Sequence, residues 1–209
     1  MPALALSGWR SGLRHKMACF PTQDDRTTGC DEGRYFQLAG RRRHCRARAQ
    51  AWPDLVDAAG VDGVYTSLGS YPDAEILALV DTAAAIQGQS PASVLRWFGR
   101  GAMPLLALRF PEFFVRHHTA RSFIATANDI IHPEVRKLYA GARCPHFHFT
   151  DADDGRLLIG YQSPRRMCAL VEGFVAGASD HFGVTVAVEH LACMMQGHPL
   201  CRLAVDWPA

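Results

Sequence analysis

The stretch HFHFTDADDGRLLIGY, residues 146–161, decides the fold class of this 209-residue chain. Aromatic and polar residues alternate over 146–150, an Asp- and Gly-rich turn follows, and an apolar run returns over 157–161. This order of alternation, turn and apolar run predicts a β-hairpin. Further strands are predicted over 184–190 and 200–205 from their β-branched and apolar residues, with a helix over 166–181.

Upstream of the hairpin, apolar residues recur at helical spacing. A first helix is expected to end at Gly60, and Ser90-Pro91 is a strong start for a later helix, which Pro104 should bend or end. Another series of apolar positions predicts one buried helix face that leads into His132: Phe123, Ile124, Ala127, Ile130 and Ile131. Helices followed by strands with one inserted helix indicate an α+β fold, its N-terminal helical part packed on a C-terminal antiparallel sheet.

Composition places the chain among soluble globular proteins. Apolar residues make up 48% and charged residues 20%, which is typical of that class. No run of eighteen apolar residues and no signal peptide is present, so we expect a cytoplasmic protein that does not cross a membrane. The seven cysteines are an odd number, and in a reducing compartment they favour burial or metal binding over disulfides.

The net charge of +2 is unevenly distributed. Residues 1–50 contain ten Lys or Arg against four Asp or Glu, whereas the rest of the chain is acidic on balance. A uniform basic surface is not indicated, so no nucleic-acid partner is predicted. Residues 1–48 also show weak periodicity, and we expect them to be a divergent or disordered segment ahead of a single domain over 49–209.

His132 is a candidate metal ligand beside a strongly apolar stretch. A proximal haem ligand requires an apolar pocket that excludes water and holds the imidazole in one orientation. A histidine that merely caps a helix or fills the core would occupy the same surroundings. The residues alone leave both interpretations open.

Tyr161, Ser163 and Arg165 form a second candidate group. In a strand, alternate residues point to the same side, which would bring two hydroxyls and a guanidinium together. These groups suit a carboxylate, such as a haem propionate. A solvated strand face is the alternative.

Cys168, His190, Cys193 and Cys201 form a third candidate group. Three thiolates and one imidazole are a common closed tetrahedral set for zinc, and thiolates favour zinc over hard cations. Buried free cysteines are the alternative, because free cysteine is often buried.

Several stretches between about Trp52 and Val205 together resemble the haem nitric oxide/oxygen-binding (H-NOX) domains, relatives of the sensor module of soluble guanylate cyclase. The resembling stretches are residues 63–68, 95–100, 128–132 and 138–145, followed by Tyr161-x-Ser163-x-Arg165. Together, these stretches resemble a bacterial H-NOX protein that consists of the sensor domain alone. Residues 1–48 depart from the family, whose members usually begin with a short helix on the distal side of the haem.

The resemblance implies an α+β domain with haem b between its helical part and its sheet. It implies that His132 is the proximal iron ligand, that Tyr161, Ser163 and Arg165 hold the propionates, and that Pro145 presses on the porphyrin. The family's oxygen binders carry a distal tyrosine where this chain has Leu170. Leucine offers no hydrogen bond to bound oxygen, so weak oxygen binding and tight nitric oxide binding are expected. Some bacterial members have a cysteine and histidine zinc site at similar spacing.

The function implied is a nitric oxide sensor rather than an enzyme. Binding of the gas would weaken the bond between iron and His132, release its helix and shift the two halves of the domain. The output would act in trans on a histidine kinase, or on a cyclic-dinucleotide enzyme such as a diguanylate cyclase or phosphodiesterase. The alternative is a zinc and cysteine redox sensor with little or no haem.

Overall fold

The computed structural model describes residues 51–66, 69–139 and 142–208. The expectation of a divergent or disordered segment concerns residues 1–48, which lie outside the described residues. The chain divides into two compact units, Met1–Gln89 and Ser90–Ala209. No helix of the described residues is long and apolar enough to cross a membrane.

The described part of the first unit is helical. Helix α1 covers residues 51–59, and Gly60 follows it with φ +64°, which confirms the predicted helix end at this glycine. Helix α2 covers Asp73–Gln87. Between them, the Tyr65 hydroxyl donates a hydrogen bond of 2.8 Å to the Glu75 carboxylate, which ties the connecting segment to α2.

The described part of the second unit combines five α-helices, a π-helical turn and a four-stranded sheet. Ser90 caps the first helix by accepting a hydrogen bond from the Ser93 backbone, with Pro91 at the first helical position, as predicted. The helices are α3 Pro91–Arg109, α4 Pro111–Phe114, α5 Ala120–Ala125, α6 His132–Leu138 and α7 Cys168–His181; the π-helical turn is Ala127–Ile131. The strands are β1 His146–Asp151, β2 Leu157–Gln162, β3 Ala187–Ala192 and β4 Cys201–Asp206.

The sheet is antiparallel throughout, in the order β1-β2-β4-β3. The predicted hairpin is β1 and β2, with Phe147 opposite Tyr161. One face of β2 and β4 is buried against Val171 and Val175 of α7. Helix α7, which follows β2 and precedes β3 in the chain, therefore packs on one face of the sheet. The predicted α+β class is confirmed. The position of haem stays a prediction.

Helices α3 and α7 pack with their backbones in close contact. A Cβ atom added at Gly99 or Gly177 would lie 2.6 Å from a backbone oxygen of the other helix, and one at Gly173 would clash with the Arg96 carbonyl. Only glycine permits this approach. Arg96 pairs with Glu172 and Arg100 with Asp180 beside this glycine seam.

Pro104, predicted to bend or end α3, does not end it: the helix continues to Arg109 and is packed along α7, which offsets the lost backbone hydrogen bond. One other local prediction is wrong. The apolar series that leads into His132 is not one buried helix face. Helix α5 ends at Ala125, a π-helical turn intervenes, and of this series only Phe123 is fully buried.

Candidate functional site

His132 is the first residue of α6 and directly follows the π-helical turn. Its Nδ1 atom is buried and has no hydrogen-bond partner. Its ring is stacked on Phe147, with the ring centroids 5.6 Å apart. Burial, and then the positive charges of Arg136 and His146, lower the pKa of His132. The imidazole is therefore neutral at neutral pH, which is the state that binds a metal.

Asn128 fastens this turn to the edge of the sheet. Its side-chain amide donates to the Phe147 carbonyl at 2.6 Å, and its side-chain oxygen accepts from the Phe147 backbone N–H at 3.2 Å. The side chain thus pairs with β1 as a neighbouring strand would. No role was predicted for Asn128, and its only signal in the sequence is an amide within an otherwise mostly apolar stretch.

Tyr161, Ser163 and Arg165 come near one another through a turn rather than through a strand. Strand β2 ends at Gln162, and the Arg166 N–H bonds to the Ser163 carbonyl at 3.1 Å. The expectation of one shared strand face is therefore wrong. Tyr161 and Ser163 are 3% and 4% exposed, whereas Arg165 is exposed.

The two hydroxyls of this group are held by backbone donors. The Tyr161 hydroxyl accepts from the Met167 N–H at 3.1 Å, and the Ser163 hydroxyl from the Arg165 N–H at 3.3 Å. Burial raises the pKa of Tyr161, so its hydroxyl keeps its proton. A protonated phenol can donate to a carboxylate.

The two remaining haem-pocket candidates lie on different elements. Pro145 is half-buried and directly precedes β1. Leu170 is in the first turn of α7, and its carbonyl is the atom nearest to a Cβ built at Gly99. The roles that we expect for both residues stay predictions.

Cys168, His190, Cys193 and Cys201 form a cluster, called here the Cys–His cluster. One potential ligand atom from each lies within 4.8 Å of all the others. Helix α7 begins with Cys168, β3 carries His190, and β4 begins with Cys201. A register shift between His190 and Ala192 interrupts the pairing of β3 with β4, just before Cys193.

The geometry of the Cys–His cluster fits zinc. The Cys168 and Cys193 sulfurs are 3.8 Å apart, and zinc–sulfur bonds of about 2.3 Å in a tetrahedron place two sulfurs about 3.8 Å apart. The His190 Nε2 atom is buried without a hydrogen-bond partner. The Met194 N–H also donates to the Cys201 sulfur at 3.2 Å, a contact that stabilises a thiolate.

Burial raises the pKa of the Cys168 and Cys201 thiols, and their sulfur neighbours contribute to the shift. Without a cation, these thiols stay protonated at neutral pH. A metal would replace their protons and remove the cost of a buried thiolate.

Glu172 is the residue of this region that sequence reasoning missed. Its carboxylate lies 3.0 Å from His190 Nδ1 and also pairs with Arg96. Its position four residues after Cys168 on a helix is a weak signal, because the contact with His190 depends on how α7 lies on the sheet.

Comparison with known proteins gives a consistent result. The haem-NO-binding (HNOB) family model matches residues 46–190. No curated protein matches the chain. An H-NOX protein from S. oneidensis, solved in the Fe(II)NO ligation state, is 28% identical with a TM-score of 0.73, covering 79% of this chain and 92% of its own.

Two further solved structures are similar. An H-NOX domain from Shewanella oneidensis in the Fe(II)CO ligation state is 29% identical, with a TM-score of 0.70 and coverage of 76% of this chain and 88% of that one. The Fe(II) unliganded H-NOX protein from K. algicida is 21% identical, with a TM-score of 0.70 and coverage of 78% and 88%, and shows the fold alone. The family model spans well over half of the sequence, and the chain therefore belongs to the haem-NO-binding, or H-NOX, family.

Proposed function

We propose that this protein is a haem-based sensor of nitric oxide in which His132 holds haem b. H-NOX domains are sensor domains, and we propose a sensor rather than an enzyme here as well. The observation that carries the proposal is the His132 imidazole, which is neutral and has a buried nitrogen without a hydrogen-bond partner. A buried unpaired polar atom is costly, and binding a metal is one way to remove that cost.

The acid groups of haem would be held by the turn after β2. Tyr161 offers a buried hydroxyl that keeps its proton, and Arg165 offers an exposed positive charge. Ser163 lies between them in the turn. A phenol and a guanidinium are both donors to carboxylates, and Pro145 would press on the macrocycle from the start of β1.

When bound, haem would supply the iron that takes up the gas. The chain supplies Leu170 on the distal side, and leucine has no hydrogen to donate. A polarised oxygen ligand gains nothing from this side chain, whereas nitric oxide needs no such donor. We therefore propose selectivity for nitric oxide over oxygen.

The segment around His132 is suited to move. Helix α6 has seven residues, none of them fully buried, and the π-helical turn before it departs from regular helical bonding. Asn128 is the described contact that fastens this turn to β1. We propose that release of His132 shifts α6 and that a histidine kinase, diguanylate cyclase or phosphodiesterase in the cytoplasm responds in trans.

Absorption spectra of the ferrous protein, recorded alone, with nitric oxide and in air, test this proposal. We expect a Soret band that shifts with nitric oxide and not in air. His132→Gly should lose haem unless imidazole is added, whereas the matched variant His146→Gly, at an exposed histidine of β1, should retain it. Colourless protein after haem is supplied, or unchanged haem content in His132→Gly, would contradict the proposal.

We also propose that the Cys–His cluster binds one zinc ion as a structural site. The sulfur spacing and the unpartnered His190 Nε2 support this proposal. The comparisons do not support the alternative of a zinc redox sensor with little or no haem, because the matched family binds haem.

Metal analysis of protein purified from cells grown with zinc tests the proposed zinc site. We expect about one zinc per chain, retained in Cys144→Ser and lost in Cys193→Ser. Cys144 is a suitable control because it is also half-buried but lies outside the cluster. Equal zinc in both variants would contradict the proposal.

A further inference from the structure

Glu172 connects two groups that belong to different elements. Its side chain, on α7, is 13% exposed. One oxygen, Oε1, lies 3.0 Å from His190 Nδ1 on β3, and the other, Oε2, accepts from the Arg96 Nε–H on α3. A single carboxylate therefore joins α3, α7 and β3.

The contact with His190 selects one form of the imidazole. A carboxylate oxygen accepts only, so Nδ1 must carry the hydrogen of this bond. With the hydrogen on Nδ1, a metal can bind this ring only through Nε2, which is buried without a hydrogen-bond partner. One ring nitrogen of His190 lies within 4.8 Å of the three sulfurs. The carboxylate thus fixes both the tautomer and the orientation that a metal requires.

The contact with Arg96 is one of two parallel ion pairs between α3 and α7. Arg100, one helical turn further along α3, pairs with Asp180 of α7 through bonds of 2.5 and 2.7 Å. Neither Arg100 nor Asp180 has a described contact with the Cys–His cluster. Both ion pairs connect α3 with α7. They differ in that the Glu172 carboxylate also contacts His190 of the cluster.

We infer that Glu172 is a positioning residue for the metal in the Cys–His cluster and that Arg96 links occupancy of this site to helix α3. The inference rests on the proposed zinc site. Outer partners of metal-bound histidines typically change metal affinity by about 10- to 100-fold. Because coupling is reciprocal, a bound metal also strengthens the contact between Glu172 and Arg96 and holds α3 in place.

Zinc affinity, measured on the full chain by competition with a chromophoric chelator, tests this inference. We expect Glu172→Ala to weaken zinc binding about 10- to 100-fold. Glu172→Gln keeps an acceptor oxygen without its charge and should fall between Ala and wild type. Arg96→Gln, at a half-exposed side chain, should fold normally and weaken zinc binding about 3- to 10-fold, within the range of indirect coupling. Arg100→Gln is the matched control and should leave zinc affinity unchanged.

Hydrogen exchange provides a second measurement that does not depend on comparing affinities. Removal of zinc from wild-type protein should increase amide exchange in the middle of α3, and the increase should be smaller in Arg96→Gln. Arg100→Gln should respond to zinc removal as wild type does.

The outcomes separate the inference from the site on which it rests. If Cys193→Ser loses zinc but Glu172→Ala and Arg96→Gln bind it as tightly as wild type does, the site stands and the inference is overturned. Equal weakening by Arg96→Gln and Arg100→Gln would show a general effect of helix packing and also overturn it. If wild type and Cys193→Ser bind zinc alike, the site and the inference both fail.

Discussion

The Cys–His cluster and the segment around His132 are built in different ways. The cluster draws its residues from α7, β3, β4 and the segment directly after β3, which holds Cys193. Cys201 is fully buried on an inner strand of the sheet. The His132 segment, defined here as residues 126–138, consists of a turn, a π-helical turn and a short helix with no fully buried residue. The Cys–His cluster is part of the sheet and the helix packed on it, called here the framework. The His132 segment is attached to this framework by few contacts.

This difference shows how a sensor can combine a fixed part with a movable one. Local motions occur where few apolar groups are buried and many backbone bonds face solvent. The His132 segment has no fully buried residue, whereas α3, α7 and the sheet contribute buried residues to the core. Four measurements test whether the two sites differ in this way.

The largest expected effect on the free energy of unfolding comes from the Cys–His cluster. Removal of zinc with a chelator should lower the free energy of unfolding by about 4 kcal/mol relative to protein in free zinc at 1,000 times its Kd. The Cys–His cluster joins three elements that the unfolded chain does not hold together. Thermal and denaturant unfolding with and without chelator measure the effect. Cys193→Ser should be insensitive to the chelator, and an equal response of this variant would contradict the framework role.

A slightly smaller effect is expected from the glycine seam. Gly173→Val should lower the free energy of unfolding by about 3 kcal/mol, because the new side chain meets the Arg96 backbone and must push α3 and α7 apart. Ala176→Val places the same side chain at a half-buried position of α7 and should cost less than about 1 kcal/mol. Denaturant unfolding of both variants gives the comparison; similar losses would mean that the seam is not tightly packed.

A moderate effect is expected at the attachment of the His132 segment. Asn128→Ala removes both hydrogen bonds to the Phe147 backbone and should cost about 1–3 kcal/mol. It should also speed the loss of haem from the ferrous protein. Asp129→Ala alters the exposed neighbour and should change stability by less than about 0.5 kcal/mol. If Asn128→Ala behaves like Asp129→Ala in unfolding and haem-loss assays, Asn128 does not hold the segment.

The smallest effect is expected from the Arg100–Asp180 pair. Both side chains are about half exposed, at 60% and 48%, so water and salt screen their attraction. Arg100→Gln should change the free energy of unfolding by less than about 1 kcal/mol. A double-mutant cycle with Asp180→Asn measures the pair itself, and a coupling energy well above this value would show that the seam depends on charge as well as on close packing.

Much of the fold could be predicted because it depends on residues that are close together in the chain. The alternation over 146–150, the Asp- and Gly-rich turn and the apolar run of β2 specify a hairpin without help from the rest of the chain. The Ser90-Pro91 start of α3 is a similar local signal. The group of three cysteines and one histidine was also predictable, because zinc ligands show a characteristic choice of residues and spacing.

Sequence signals are weaker where distant contacts override local preference. Pro104 could bend or end a helix, yet α3 continues to Arg109 along its neighbour α7. The apolar positions from Phe123 to Ile131 match a regular helix, yet a π-helical turn interrupts them. The turn coincides with the pairing of Asn128 and β1, a contact that sequence spacing does not reveal.

Residues close together in the chain were enough to predict most helices and strands and the antiparallel hairpin, since propensity and periodicity act over a few residues. The contacts of Glu172 with Arg96 and His190, and of Asn128 with Phe147, became visible only in the folded chain. These contacts join residues far apart in the chain, and their partners are set by how helices and strands pack together.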